Sequence, residues 1–194
     1  SDQYTYKNGT SIQTGSSSAN PIQRSLQSRL DDFVNVKSFG ANGDGTDQTL
    51  ALQRAIDQLY LPWSGASDAD SLKKRVTLKL DAGLYKINDS LKVPPYVNLV
   101  GDGSDKTVIE QTGAFAVIET INGNGINAQT SSTNQTNIIR LQGMTLKSYL
   151  TNPALKLSST KDSQFVDIKL QGPWTQGSAI NACLLYTSDA ADER

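Results

Sequence analysis

Histidine is absent from this 194-residue chain, which also has one cysteine and one methionine. Without histidine, neither a Ser-His-Asp triad nor a Cys-His pair can form within it, and most zinc sites lose their usual ligands. Aromatic residues make up only 7% and charged residues 19%. The 18 basic side chains nearly cancel the 19 acidic ones, for a net charge of −1. No strong field therefore recruits nucleic acid or an anionic membrane, and neither is expected as a partner. No apolar run approaches the roughly 18 residues of a membrane-crossing helix, and no signal peptide is visible. The chain starts at Ser1 rather than at methionine, so the missing signal carries little weight.

What is present is Ser, Thr, Asn, Gln and Gly, the material of hydrogen-bonded, β-rich surfaces. Residues Ser1 to Ala19 are polar without apolar periodicity and read as a linker or extended arm. "NPIQRSLQSRLDDF", Asn20 to Phe33, predicts a short helix. Asn20 can cap it, Pro21 suits its first turn, and Ile22, Leu26, Leu30 and Phe33 lie near one face. So short a helix is not stable alone, so its stripe packs either on the domain or on copies of itself.

The next stretch, "VNVKSFGANGDGTDQTLALQRAIDQL", runs from Val34 to Leu59. Val34 and Val36 alternate with polar neighbours and predict a strand. Gly40, Gly43 and Gly45 then turn the chain, and Asp44 or Thr46 can cap a helix from Thr46 to about Leu61. Leu52, Ala55, Ile56 and Leu59 share the buried face of that helix. "NGDGTD" also resembles a calcium loop, but Asp47 stands where an EF-hand needs glycine, and no bidentate glutamate follows. "GDGTDQ" and "GDGSDK" begin like dinucleotide-binding loops yet lack the third glycine. Helix capping is the better account. Neither a metal nor a cofactor is expected.

After Arg75 the pattern changes to short alternating segments separated by turn residues. They are Val76–Leu80, Gly83–Ile87, Tyr96–Gly101, Thr107–Gln111, Phe115–Thr120, Asn137–Lys147, Ala154–Ser158 and Phe165–Gly172. Several strands in each stretch of about 20–30 residues is the scale of a stacked repeat. A β-sandwich gives similar local signals.

Carboxylates are the remaining route to catalysis. Glycosidases use two of them roughly 5–9.5 Å apart. Asp81, Asp102, Asp105, Asp162 and Asp167 are candidates in number only, and Asp102 and Asp105 flank a turn, which favours a structural role. No catalytic residue is named from the sequence.

"CLLYTSDAADE", Cys183 to Glu193, resembles the conceptual translation of a sequencing adapter. The expectation is that residues 183–194 are such an artefact, form no further coil, and end a frame cut from something longer. The only cysteine then says nothing of the redox compartment.

Taken together, "VNVKSFGANGDGTDQTLALQRAID", "LDAGLYKI" and "LKVPPYVNLVGDGSDKTVI" resemble the start of the pectate-lyase-like right-handed β-helix superfamily. The likeness is to the rhamnogalacturonase/epimerase-like domain that opens many tailed-phage tail spikes and fibres. Phe39, Gly40, Ala41, Gly43, Asp44, Gly45, Asp47, Thr49 and Ala55 fit the first family block. Val93, Pro94, Leu99, Gly101, Asp102 and Gly103 fit the second, and "NIIRLQGMTLK" resembles a rung. Two departures stand out: one residue separates Gly45 from Asp47 where relatives often have two, and Gln48 replaces a second aspartate.

The resemblance implies a mainly β fold, a right-handed parallel β-helix (single-stranded solenoid) with an N-terminal capping helix and an uncapped far end. It divides the chain into a linker and helical neck (1–33), the β-helix (34–182) and the tail (183–194). The function it implies is the proximal part of a homotrimeric tail spike or fibre, a virion component that contacts other tail or baseplate proteins. Its downstream part would bind or degrade a bacterial surface polysaccharide. The alternatives are a polysaccharide lyase or glycosidase, secreted or phage-borne, and a non-catalytic extracellular adhesin.

Overall fold

The computed structural model describes residues 3–4, 24–30, 33–60, 77–94, 97–120, 138–158, 160, 162–175 and 177–183. Near the start, β1 (Gln3–Tyr4) pairs antiparallel with β2 (Arg24–Ser25), and a single turn of helix follows, α1 (Leu26–Leu30). Of the predicted helix from Asn20 to Phe33, the described residues are helical at Leu26–Leu30; residues 31–32 lie outside them. Its flanks go to β2 and to β3 (Phe33–Asn35), where strand pairing outcompetes a helix too short to hold itself. Residues 20–23 lie outside the described residues.

From Phe33 the chain winds in coils. The first holds β3 and β4 (Asp44–Asp47), then α2 (Thr49–Tyr60). The second holds β5 (Thr77–Lys79), β6 (Gly83–Ile87) and β7 (Leu91–Val93). The third holds β8 (Asn98–Val100), β9 (Thr107–Gln111) and β10 (Ile118–Thr120). In the fourth, β11 (Arg140–Ser148) passes through two sheets in one run before β12 (Leu155–Ser158). The fifth repeats this with β13 (Gln164–Gln171) and β14 (Ile180–Cys183).

Every coil-to-coil pairing is parallel and joins neighbouring coils. Three sheets result. One is β3-β5-β8 with the first half of β11 and β13; the second is β4-β6-β9 with the second half of those strands; the third is β7-β10-β12-β14. This is a parallel β-helix, with the right hand that parallel crossovers take. A sandwich of antiparallel sheets is excluded.

Alternation sets what lies inside. Leu78, Leu99 and Leu141 stack along the first sheet, Tyr85, Ile109 and Leu146 along the second, and Leu91, Ile118 and Leu155 along the third, all nearly fully buried. The apolar interior closes against α2, whose Leu52, Ala55 and Ile56 belong to the same core. The side chain of Leu59 lies outside the described residues. Each large side chain buried in this way contributes about 1.5–3 kcal/mol.

Gly143 explains how β11 bends from one sheet to the next without ending. Its φ of 67° is left-handed, and Asp167 takes the same corner in the fifth coil at φ 49°. Gly43 meets a tighter demand, since a Cβ there would lie 2.9 Å from the Tyr85 ring.

Several boundaries differ from the sequence expectation. The helix begins at Thr49 rather than Thr46, because Asp44–Asp47 runs extended and pairs with Leu84 and Lys86 of β6. Asp44 and Thr46 therefore do not cap it. Gln48 stands at the entrance instead, its carbonyl accepting the Leu52 N–H at 3.0 Å. Val36 begins a 3-10 turn rather than continuing β3, because Asn35 caps that turn through the Lys37 N–H. The third sheet's β7 and β14 were not foreseen. Cys183, the first residue of the suspected adapter segment, pairs with Ser158 at the end of β14; residues 184–194 lie outside the described residues.

Candidate functional site

The outward faces of the second and third sheets each carry an ordered row of charge, and the register decides how. Lys86, Glu110, Lys147 and Gln171 are successive partners along the second sheet. Lys92, Glu119, Lys156 and Asn181 follow one another along the third. Each row reads cation, anion, cation, amide. Glu110 meets Lys147 at 2.6 Å and Glu119 meets Lys156 at 3.1 Å. Such cross-strand pairs are each worth a few tenths to about 1 kcal/mol. The sequence shows these acids in "TVIEQ" and "VIET", but only the register reveals that lysines flank them.

The aspartates singled out from the sequence occupy the corners. Asp81 accepts both Nδ2 bonds of Asn35 at 3.1 Å and pairs with Lys37 at 2.8 Å. The Lys37 bond, chiefly, holds its carboxyl below the usual range. Asp102 pairs with Lys79 and accepts the Ala82 N–H at 2.7 Å, and Lys79 lowers its pKa most. Asp167 accepts the Ser104 N–H at 3.0 Å and its hydroxyl at 2.6 Å. It reaches over the side-chain-free Gly143 from the fifth coil to the third. That hydroxyl is the main reason its carboxyl titrates low. Asp105 and Asp162 are exposed turn residues. Asp81, Asp102 and Asp167 are thus ionised acceptors that clamp one coil to another. A general acid needs the opposite, a carboxyl whose pKa is raised.

The first turn is also committed. Asp44 accepts from the Thr46 hydroxyl at 2.6 Å, its main pKa-lowering bond, and from Gln48 Nε2 at 2.7 Å. Gln48 accepts the Gly43 N–H at 3.1 Å through Oε1. A glutamine here, in place of a second aspartate, ties the turn by donating as well as accepting. Asp47 is held low mainly by the Thr49 hydroxyl. No group of three metal-binding side chains occurs among the described residues, and no described helix is long and apolar enough to cross a membrane.

Clefts also open on the coils, and two of them lie beyond the first coil among the described residues. One, of about 410 Å³, lies beside β8, β11 and β13 and is lined by Asn98, Ile139, Arg140, Asp162 and Gln164. Arg140 is held in plane by two bonds to Gln164 Oε1, one of them from Nε at 2.9 Å. The other, of about 570 Å³, lies at the corner after the second sheet, between Tyr149 and Trp174. Tyr149 and Trp174 were not foreseen as site residues, because a turn gives no periodic signal that would mark them.

With coils, corners and clefts in place, the relation to known proteins can be drawn. The profile of the family described as rhamnogalacturonase A/epimerase, pectate lyase-like matches residues 33–191. The chain belongs to this family. Its first coil opens at Phe33, where the matched span begins. The chain is 37% identical over 84 residues to mannuronan C5-epimerase AlgE2 of Azotobacter vinelandii, covering 39% of this chain and 7% of that protein. It is 36% identical over 73 residues to a probable glucan endo-1,3-beta-glucosidase of Arthroderma benhamiae, covering 37% and 7%. Among solved structures, ORF18 of Geobacillus virus E2 shares the fold, with a TM-score of 0.59 and 20% identity over 84% of this chain and 37% of that one. The chain thus spans a small part of the length of the curated relatives it matches.

Proposed function

We propose that this chain is the proximal part of a phage tail spike or fibre, whose β-helix is a scaffold for binding or degrading a bacterial surface polysaccharide. The observation that carries the reading is the neck. Leu26 and Leu30, just before the first coil, are 46% and 59% exposed, and Phe33, where that coil opens, is 53% exposed. An apolar cluster at the entrance of a β-helix suits three copies that share it, as in a homotrimeric spike. The likeness of the fold to a viral protein supports the same reading. The commitment of Asp81, Asp102 and Asp167 to inter-coil bonds fits a scaffold role for these coils, with other tail or baseplate proteins as neighbours.

A second reading, a polysaccharide-modifying enzyme, is favoured by the matched segments of an epimerase and a glucosidase. Immunogold labelling of purified virions with antibody to this chain separates the two. Labelled tails, and host adsorption that is lost when surface polysaccharide is stripped, are expected of a spike. A protein found only free in the medium, turning over soluble polysaccharide, would sink the spike reading and leave the enzyme.

A further inference from the structure

We infer that the corner between the second and third sheets binds a neutral polysaccharide, stacked on Tyr149 and Trp174. The inference rests on the polysaccharide reading above and names the site. In a chain with few aromatic residues, three successive turns at this one corner each carry one. Phe115 lies between β9 and β10, Tyr149 between β11 and β12, and Trp174 between β13 and β14. Coils in a parallel sheet stack about 4.7–4.9 Å apart, so the three turns follow one another along the axis, and Tyr149 and Trp174 line one cleft there. Phe115 is 48% and Tyr149 67% exposed, so burial does not explain these two; Trp174 is half-buried, with part of its ring packed against the core.

Trp174 is set before any ligand arrives. Its indole N–H donates to the Asn152 carbonyl at 3.0 Å, one coil back. Its ring lies against Gly172, where a Cβ would come within 2.6 Å of it. A ring held on two sides costs little further ordering when a ligand stacks on it. The cleft it shares with Tyr149, about 570 Å³, falls within the usual size of a ligand site. Lys147, Ser148 and Gln171 also line it.

The charge pattern selects the ligand. Lys147 is neutralised by Glu110 at 2.6 Å, and the next position in that row is the amide of Gln171. Among the described residues that line it, the corner therefore offers aromatic surface and an amide, and its one charge, Lys147, is paired with Glu110. This suits the apolar face and hydroxyl rim of a neutral pyranose better than a uronate.

Affinity electrophoresis of the whole chain through gels containing dextran, mannan, a β-glucan or alginate tests the inference. Retardation by at least one neutral polymer, insensitive to salt, is expected. Tyr149→Ala and Trp174→Ala should each weaken it about tenfold, the order of one well-buried aromatic contact. Trp174→Phe should keep most of the binding. Leu50→Ala, an exposed position on α2, should keep all of it. Thermal melts of the same variants report whether the fold survives; Tyr149 is exposed enough that its loss should not disturb it. Undiminished retardation of both alanine variants would overturn this inference alone and leave the polysaccharide reading standing. Retardation by alginate alone, fading with salt, would overturn the neutral ligand. A change in sedimenting mass with unchanged retardation would make the corner a subunit contact. Failure of every polymer to retard the chain would overturn the inference, while the polysaccharide reading of the whole protein is tested separately by the adsorption experiment above.

Discussion

Gln53 and Lys92 are bonded as if they were neighbours in one sheet. The Gln53 side chain accepts the Lys92 N–H at 2.8 Å and donates to the Lys92 carbonyl at 3.0 Å. One glutamine on α2 thereby occupies the edge of β7, the first strand of the third sheet. It stands where the missing strand of the first coil would pair. An open edge of this kind invites pairing with another chain. Gln53→Ala removes both bonds and should lower stability by about 1–2 kcal/mol in denaturant unfolding. A change within error would mean water replaces the glutamine without cost.

Ile56 makes the same helix a lid rather than a decoration. It is 1% exposed within the β-helix core. Ile56→Asp should cost about 3 kcal/mol or more, because an unpaired carboxylate cannot be buried without partners. Ile56→Val should cost only about 1 kcal/mol. Equal, small losses from both would show that α2 can lift away from the coils.

Acid should loosen the coils. Asp81, Asp102 and Asp167 all titrate below the ordinary aspartate value of 3.8, through bonds to other coils. Each folded pKa is depressed, so its contribution is present above the unfolded value and is lost as pH falls through the folded one. The melting temperature should be level near neutrality and drop steadily as pH falls below about 4. Asp81→Asn should melt lower at neutral pH and show a shallower acid drop. A melting temperature unchanged down to strong acid would exclude these clamps as a source of stability.

Alkali should act through a different residue. Tyr85 is fully buried, donates its hydroxyl to the Asp81 carbonyl at 2.9 Å, and has its pKa pushed up to about 12, mainly by burial. The fold holds the neutral phenol. Its contribution is intact below the free value of 10 and is lost as pH rises from there to about 12. Ultraviolet titration should show one tyrosine ionising late, in step with unfolding, and Tyr85→Phe should remove that phase. Ionisation of every tyrosine together before any unfolding would contradict this environment.

Association should depend on the neck. Sedimentation of the complete protein is expected to give a trimer, and Leu30→Asp should weaken it. A stable monomer of the complete protein would end the trimer proposal.

Much of the coil was legible because burial has a period. Alternation in "GLYKI" and "TVIEQ" marks β6 and β9 to the residue, since one face must enter the core. The face of α2 was equally plain in Leu52, Ala55 and Ile56. The start of that helix was misplaced because "DGTD" carries good capping residues, and local chemistry cannot announce that β6 offers them a strand to pair with. β7 escaped notice because Ser90 and Pro94 bound its three residues, so no longer alternating run surrounds them.

The sequence by itself determined which side chains go inside, where the chain turns, and that these residues supply no histidine. Those are local matters of periodicity, turn residues and composition. The tertiary structure alone decided what each charge does. Glu110 and Glu119 became partners of Lys147 and Lys156, and Asp167 a clamp on Ser104, because parallel stacking sets residues from different coils side by side. It also gathered Phe115, Tyr149 and Trp174 at one corner. Their separation along the chain says nothing of this, because which turns share a corner is fixed only when the coils pair.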